Sequence, residues 1–392
     1  MIYLLIDFLK DWLYRVHLSP LVLINAQVQF RALAALGLSF VLVITLGRGT
    51  IRRLNALRLG DAGATDAELL KAHAASKAHT PTMGGILIAG SVAVSVLLLS
   101  DISRFYVQLG LVVLVWLAAV GGVDDYLKLT AARRGAGSRQ GLYAWEKLVF
   151  QLGIGALAGW FAFRHGDSAG VDLDLAHVLN LPLQRTYEPG AGETPASGLI
   201  YLPAWAYVLL STLMIAGMSN AVNITDGMDG LATGITAAVS LGLIVLCLIA
   251  GSLVAAQYLL VPHVTFADEL AVIACGMLGA CLGFLWWNCS PAQVFMGDTG
   301  SLSLGGLIGY LAIVTRQEAV VLVMGGVFLA EIGSVVLQVG YFKWTGGRRI
   351  FRCAPFHHHL HLAGWTEQQV VVRMWIVSFI LVVLGLVTLK MR

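Results

Sequence analysis

Charged residues are scarce in this sequence. They make up 12% of its 392 residues, and 58% of the residues are hydrophobic, whereas soluble globular proteins carry about 25% charged residues. This shortage excludes an ordinary soluble enzyme, a disordered chain and a coiled coil. The net charge is only +3, so the chain also lacks the basic excess of a protein that binds nucleic acid through a positive patch.

The sequence also has few cysteines and little that indicates an ATPase or a serine hydrolase. Its five cysteines show no C-x-x-C spacing, which argues against a disulfide framework or a zinc ribbon. The sequence contains no G-x-x-x-x-G-K-[ST] loop, and its G-x-S-x-G match at 166–170 lies in the loop-like stretch 165–202, without the strand and helix that a nucleophile elbow needs. ATP-driven transport and serine hydrolysis therefore lose their main sequence evidence.

Long apolar runs dominate the chain instead. A helix needs about 20 predominantly apolar residues to cross a membrane, and ten runs approach that length. The sequence therefore predicts an all-α polytopic membrane protein with about ten transmembrane helices, folded as a single domain over 1–392. The predicted spans are 28–47, 83–100, 106–123, 147–163, 203–219, 231–250, 270–286, 302–315, 319–342 and 374–389.

Two segments lie outside these spans. Within 1–27, apolar residues recur at helical spacing with charged residues on the opposite side. This pattern predicts a short helix lying in the membrane interface. The segment 165–202 is rich in Gly, Pro, Asp and Glu, which predicts an exposed loop.

The distribution of Lys and Arg predicts the orientation of the chain. The five loops that follow the odd-numbered spans contain 16 of the 25 Lys and Arg residues. Because these residues accumulate in cytoplasmic loops, the five loops are predicted to be cytoplasmic, and the loop 165–202 and both termini periplasmic. Every unusual polar cluster also falls in one of the five loops, which predicts an active site at the cytoplasmic face. The clusters are Lys77–Gly85, Asp124–Asp125, Asn220–Gly230, Asn288 with Phe295–Ser301, and Ala354–His359.

The aspartates of these clusters suggest phosphate and metal chemistry. Asp124 and Asp125 close an apolar run, where ionisable groups are usually functional; solvation at a helix end is the alternative. Asp226 and Asp298 lie among glycines, and either can instead cap the helix that follows. Mg²⁺ is typically held by one or two carboxylates together with substrate phosphates, so Asp298 is a candidate Mg²⁺ ligand.

The histidine triplet 357–359 is the remaining cluster. Adjacent histidines rarely converge on one metal, and no cysteine lies at ligand spacing, so zinc is disfavoured. Hydrogen-bond donors to a pyrophosphate, or proton carriers, fit this triplet better. Glu331 lies inside a predicted span; a functional role and a local pairing remain equally open for it.

Six motifs together resemble a known family. The chain resembles the phospho-N-acetylmuramoyl-pentapeptide-transferase family of the polyprenyl-phosphate N-acetylhexosamine-1-phosphate transferase superfamily, from about residue 70 to the C-terminus. The loop 165–202 is longer than is usual in that family. The motifs are TPTMGG at 80–85, VDDY at 123–126, NAVNITDGMDGL at 220–231, FLWWN at 284–288, PAQVFMGDTGSL at 291–302 and APFHHHLHLAGW at 354–365.

The resemblance implies an enzyme of the bacterial cytoplasmic membrane that requires Mg²⁺. It implies transfer of phospho-MurNAc-pentapeptide from UDP-MurNAc-pentapeptide to undecaprenyl phosphate, which gives lipid I and UMP. Two alternatives stay open: a related transferase of GlcNAc-1-phosphate, and a non-catalytic membrane transporter. The uninterrupted histidine triplet favours the muramoyl-pentapeptide branch, and the confinement of polar groups to one face disfavours a transporter. Whether the chain forms a homodimer is also left open.

Roles for individual residues follow from the same resemblance. Asp298 resembles the Mg²⁺ ligand, and Asp124 resembles the carboxylate that deprotonates the lipid phosphate, with Asp125 beside it. His357 and His358 resemble substrate-contacting histidines. Phe295 resembles a stacking face for uracil. The residues that resemble those around the nucleoside and diphosphate are Lys77, Thr82, Asn223, Asp226, Asn288, Phe295, Gln338 and, less closely, His359.

Overall fold

The computed structural model describes residues 1–56, 80–134, 141–168, 175–188, 190 and 194–391, and these are mostly helical, without a β-strand. Lys77 lies outside the described residues. The helices are α1 Ile2–Phe8, α2 Lys10–Arg15, α3 Ser19–Ala26, α4 Val28–Ala56, α5 Gly85–Leu99, α6 Phe105–Arg134, α7 Ala144–Ser168, α8 Ala204–Thr225, α9 Leu231–Gly251, α10 Leu253–Leu259, α11 Leu270–Asn288, α12 Gly297–Val314, α13 Glu318–Met324, α14 Gly326–Trp344, α15 Phe356–Leu362 and α16 Glu367–Lys390.

The prediction of an all-α polytopic membrane protein is confirmed. Among the described residues, seven helices are long and apolar enough to cross a membrane: α4, α6, α8, α9, α11 extended back to Ala267, α14 and α16. The other three predicted spans correspond to α5, which has 15 residues, and to α7 and α12. All ten predicted spans are therefore helical, although not all of them meet both criteria of length and hydropathy.

Three local details differ from the sequence-based expectations. The predicted span 319–342 is two helices, α13 and α14, which are separated at Gly325; glycine favours such breaks because it lowers helix propensity by about 1 kcal/mol. The segment 1–27 forms three short helices rather than one. Helix α7 continues to Ser168, and residues 175–180 are buried or half-buried rather than exposed, with the Arg316 guanidinium donating to the Val178 carbonyl at 3.0 Å.

Helix α12 lies at the centre of the bundle because glycines line it. A Cβ atom on Gly305 or Gly309 would overlap with the backbone of α8, and a Cβ on Gly85 would overlap with Gly300. Small residues allow helix backbones to approach closely and to gain van der Waals contact in a membrane protein. Residues Asp298–Val314 of α12 are all buried as a result. This packing fixes the position of Asp298 in the first turn of the helix.

The alternating direction of the helices brings the polar clusters to one end of the bundle, called here the site end. Helices α4, α6, α8, α11 and α14 finish there, and α5, α7, α9, α12 and α16 begin there. The opposite end is held by a buried ion pair between Arg31 and Glu269, whose carboxylate also accepts from the Asp101 backbone at 3.1 Å.

Candidate active site

Three buried aspartates form the centre of the site end. Asp124 and Asp125 come from α6 and Asp298 from α12, and one oxygen from each lies within 4.8 Å of the others. The two helices meet here because Gly121 has no side chain; a Cβ at that position would overlap with the Asp298 backbone. These three carboxylates form a cluster that can bind a metal ion.

Asp125 fixes the start of α12. Its carboxylate accepts hydrogen bonds from the Asp298 and Thr299 backbone N–H groups at 3.0 and 2.9 Å and from the Thr299 hydroxyl at 2.6 Å. Gly297 adopts a φ of +72°, and a Cβ there would lie 2.8 Å from Asp125 Oδ2. Asp298 does not cap its own helix, because Asp125 satisfies the first backbone donors. Asp125, a catalytic candidate from the sequence, thus positions Asp298.

Loss of this cap should reduce stability. We expect Asp125→Asn to lower the free energy of unfolding by about 0.5–2 kcal/mol, because the amide nitrogen cannot accept from these donors. Thermal unfolding in detergent measures this change. Thr299→Ser retains the hydroxyl donor and serves as the matched control. An Asp125→Asn protein that melts like the wild type would contradict the capping role.

Two lysines offset part of the negative charge of the cluster, and sequence reasoning did not select either. Lys147 Nζ lies 2.6 Å from Asp298 Oδ2 and 2.7 Å from Asp124 Oδ2. Lys128 Nζ lies 2.7 Å from Asp124 Oδ2 and 3.4 Å from Asp298 Oδ2. The spacing of four residues between Asp124 and Lys128 was a usable signal, because such residues face one another on a helix. No local pattern connects Lys147 to the cluster.

The carboxylates are also oriented by neutral donors. Asn223 on α8 donates to Asp298 Oδ1 and to the Ser301 hydroxyl, both at 2.9 Å. The Leu142 backbone donates to Asp124 Oδ1 at 2.7 Å. Asp124 and Asp298 therefore hold their oxygens in fixed directions, while both oxygens of Asp125 are used by α12. Carboxylate oxygens are the ligands that hard divalent cations prefer, so the donor set fits such an ion.

The loop between α8 and α9 joins this cluster to the rest of the site end. Burial, and then the negative charges of Asp298 and Asp125, raise the pKa of Asp226 to about 7. Asp226 follows the last residue of α8, and Gly230, with a φ of +77°, precedes α9. The capping role considered for Asp226 is therefore absent from α9.

Asn288 holds two loops of the site end together. Its amide oxygen accepts from the Gly230 N–H at 3.0 Å and from the Thr233 hydroxyl at 3.1 Å. Its amide nitrogen donates to the Val294 carbonyl at 2.9 Å. These bonds connect the start of α9 to the loop that leads into α12, so Asn288 shapes both loops from within the protein.

Thr82 and Phe295 lie in two motifs that pair through their backbones. The Phe295 N–H donates to the Pro81 carbonyl at 2.8 Å, and the Gly84 N–H donates to the Phe295 carbonyl at 2.9 Å. Thr82 lies between these bonds, and both Thr82 and Phe295 remain half-buried. The first motif is therefore attached directly to the segment that carries Asp298.

The histidine triplet divides between the interior and the adjoining loop. His357 is fully buried, and its Nδ1 lies 3.0 Å from Glu331 Oε2. The ring of His358 lies 4.2 Å from that of His357. His359 Nδ1 accepts from the Arg352 backbone at 3.2 Å. Gln338 accepts from the Ile350 and Phe351 backbones at 3.1 and 2.9 Å, so Gln338 and His359 both shape the segment before α15.

Known proteins resemble this chain over nearly its whole length. It is 40% identical over 365 residues to the phospho-N-acetylmuramoyl-pentapeptide-transferase of Desulfotalea psychrophila, which covers 93% of this chain and 94% of the relative. The transferase of the same name from Oleidesulfovibrio alaskensis is 40% identical over 373 residues, which covers 95% and 96%. That of Syntrophus aciditrophicus is 40% identical over 365 residues.

A family model matches the part of the chain that carries the cluster. The model is described as glycosyl transferase family 4, and it matches residues 107–316. That range contains Asp124, Asp125 and Asp298 together with both lysines. The chain therefore belongs to glycosyl transferase family 4, among the phospho-N-acetylmuramoyl-pentapeptide-transferases.

Proposed function

We propose that this chain transfers phospho-MurNAc-pentapeptide from UDP-MurNAc-pentapeptide to undecaprenyl phosphate and so forms lipid I and UMP. The observation that carries the proposal is the cluster of three aspartates and two lysines at the ends of membrane-spanning helices. A soluble nucleotide sugar and a phosphate anchored in the bilayer can meet only at such a depth. The relatives act as transferases of this kind by name.

The reaction exchanges one phosphoanhydride bond for another. An oxygen of the lipid phosphate attacks the phosphorus that is bonded to the sugar, and the bond from that phosphorus to UMP breaks. Phosphoryl transfer depends mainly on positioning and on neutralisation of negative charge. We assign the proton of the lipid phosphate to Asp124 and charge neutralisation to Lys128 and Lys147. Direct attack is the preferred route, and a covalent aspartyl-phosphate intermediate is the alternative.

We propose Mg²⁺ as the metal ion at this site. Three carboxylates and two ammonium groups leave a net charge of minus one among these side chains. Asp298 would hold the ion, since the Asp125 oxygens accept from α12 and Asp124 is assigned to the lipid phosphate. When bound, Mg²⁺ supplies positive charge to the diphosphate, and it is commonly held by one or two carboxylates plus substrate phosphates.

The choice of donor tests the proposed function. We expect the purified protein in detergent to use UDP-MurNAc-pentapeptide with undecaprenyl phosphate and to release UMP, and to leave UDP-GlcNAc unreacted. Transfer of radiolabel to the lipid fraction measures both reactions. Equal or better turnover of UDP-GlcNAc would assign the chain to the related GlcNAc-1-phosphate transferases instead.

We propose that the site end faces the cytoplasm of a bacterium and that both termini are periplasmic. Helix α16 begins at the site end and finishes at Lys390, at the opposite end. A C-terminal alkaline phosphatase fusion should therefore be active and a C-terminal green fluorescent protein fusion dark. Fusions placed after Ala56, at the site end of α4, should give the reverse result. Interchanged signals would overturn this orientation.

A further inference from the structure

Helix α14 contains a carboxylate that the proposed reaction does not use. Glu331 and His357 are both fully buried, and 3.0 Å separates Glu331 Oε2 from His357 Nδ1. The backbone N–H of His357 donates to the same oxygen at 3.3 Å. An ionisable group inside a membrane-spanning helix is costly and is usually functional. Both bonds that Glu331 Oε2 accepts come from one residue, so this carboxylate serves His357.

These bonds indicate which ring nitrogen carries the proton. Glu331 Oε2 already accepts from the His357 backbone N–H, and carboxylate oxygens are hydrogen-bond acceptors. The 3.0 Å contact therefore favours a ring N–H at His357 Nδ1 that donates to the same oxygen. The second nitrogen, Nε2, is then the one that interacts with other groups. The carboxylate thus sets both the orientation of the ring and its tautomer, as partners of functional histidines commonly do.

The second nitrogen faces the loop that leads to the aspartate cluster. His357 Nε2 is buried and has no hydrogen-bond partner among the described residues. It packs against Gly227, where a Cβ atom would overlap with Nε2. Gly227 follows Asp226, whose carboxyl group responds electrostatically to Asp298 and Asp125. A buried polar atom without a partner is destabilising, and a ligand that supplies the partner removes this cost.

We infer that Glu331 is a positioning residue, which holds His357 with its proton on Nδ1 and with Nε2 directed at the 226–230 loop, where Nε2 accepts a hydrogen bond from an N–H or O–H group of the substrate. The second part of this inference rests on the proposed function. The first part, the tautomer, is a property of the protein alone. The two parts can therefore be tested separately.

Nuclear magnetic resonance tests the tautomer without any reaction. The protein is labelled with ¹⁵N-histidine in detergent micelles, and the ring signals of His357 are identified by their loss in His357→Asn. A long-range ¹H–¹⁵N spectrum should show His357 protonated at Nδ1. In Glu331→Gln the amide can donate to Nδ1, so protonation there should be lost in part or entirely. A wild-type ring protonated only at Nε2, or a spectrum unchanged by Glu331→Gln, would overturn the inference.

Kinetics test whether Glu331 acts through His357. We expect Glu331→Gln to lower kcat roughly 10- to 100-fold, by analogy with the hydrogen-bond partners of metal-bound histidines, with the melting temperature nearly unchanged. The double variant Glu331→Gln/His357→Asn should be no slower than His357→Asn alone, because the two residues act as one unit. Ser334→Ala on the same helix, which loses only a bond to the Glu331 backbone, should keep wild-type kinetics.

The outcomes separate this inference from the proposed function. Wild-type kcat in Glu331→Gln, or multiplicative losses in the double variant, would assign Glu331 a merely structural role. If Glu331→Gln does not fold, Gly227→Ala tests the same contact from the opposite side, because its Cβ displaces Nε2; wild-type kcat in that variant would refute the inference. A wild-type protein without transferase activity would refute the proposed function, while the tautomer would still be read from the spectrum.

Discussion

Asp298→Asn should reduce turnover by about 10³-fold or more, while the protein still folds and extracts normally from the membrane. Asp298 is the aspartate that contacts both lysines and Asn223, with distances of 2.6 Å to Lys147 and 2.9 Å to Asn223. The amide would retain the size of the side chain but remove its negative charge. The residue would then lose both its attraction for a divalent cation and its pairing with the lysines.

Radiolabel transfer at saturating substrate and varied Mg²⁺ measures this effect. Asp7→Asn is a matched control, since Asp7 is exposed on α1 and pairs only with Lys10 among the contacts described there; this variant should keep full activity. Substantial activity of Asp298→Asn at ordinary Mg²⁺ would remove Asp298 from the metal site. Recovery of activity only at greatly raised Mg²⁺ would support it.

Asp124→Asn should depress kcat by about 10²–10⁴-fold, the usual contribution of a proton-transfer group. Asp125 is adjacent in sequence, but it cannot replace Asp124, because its two oxygens already accept three hydrogen bonds from the start of α12. A loss confined to the transition state lowers kcat, whereas a loss of uniform binding raises KM. The structure thus predicts a large effect on kcat from this single substitution.

Steady-state kinetics with each substrate varied in turn would check the assignment. Thr130→Val, on the same helix, is the control variant. It removes only a hydroxyl that donates to the Tyr126 carbonyl at 2.7 Å, so its kinetics should match those of the wild type. If Asp124→Asn kept its kcat and lost only affinity for the nucleotide, Asp124 would belong to the donor site. The lipid phosphate would then need another base.

Local sequence features predicted the helices well, because the length and apolarity of a segment are properties of that segment alone. All ten predicted spans are helical in the structure. The break at Gly325 was missed, since the runs on either side of it are equally apolar. The order of the spans also predicted that the polar motifs lie on one face of the membrane. Successive spans run in opposite directions, so alternate loops share a face.

The sequence by itself thus determined the class of protein, the helical segments and most of the residues at the site end. Only the tertiary structure decided which of those residues contact one another and which role each of them has. Asp125 and Asp298 are 173 residues apart, yet one caps the helix of the other. Lys147 reaches the cluster from a third helix, and Glu331 meets His357 across 26 residues. Such contacts depend on how the helices pack. Glycines permit the close approach of the helices, but no local sequence pattern shows which helices will meet.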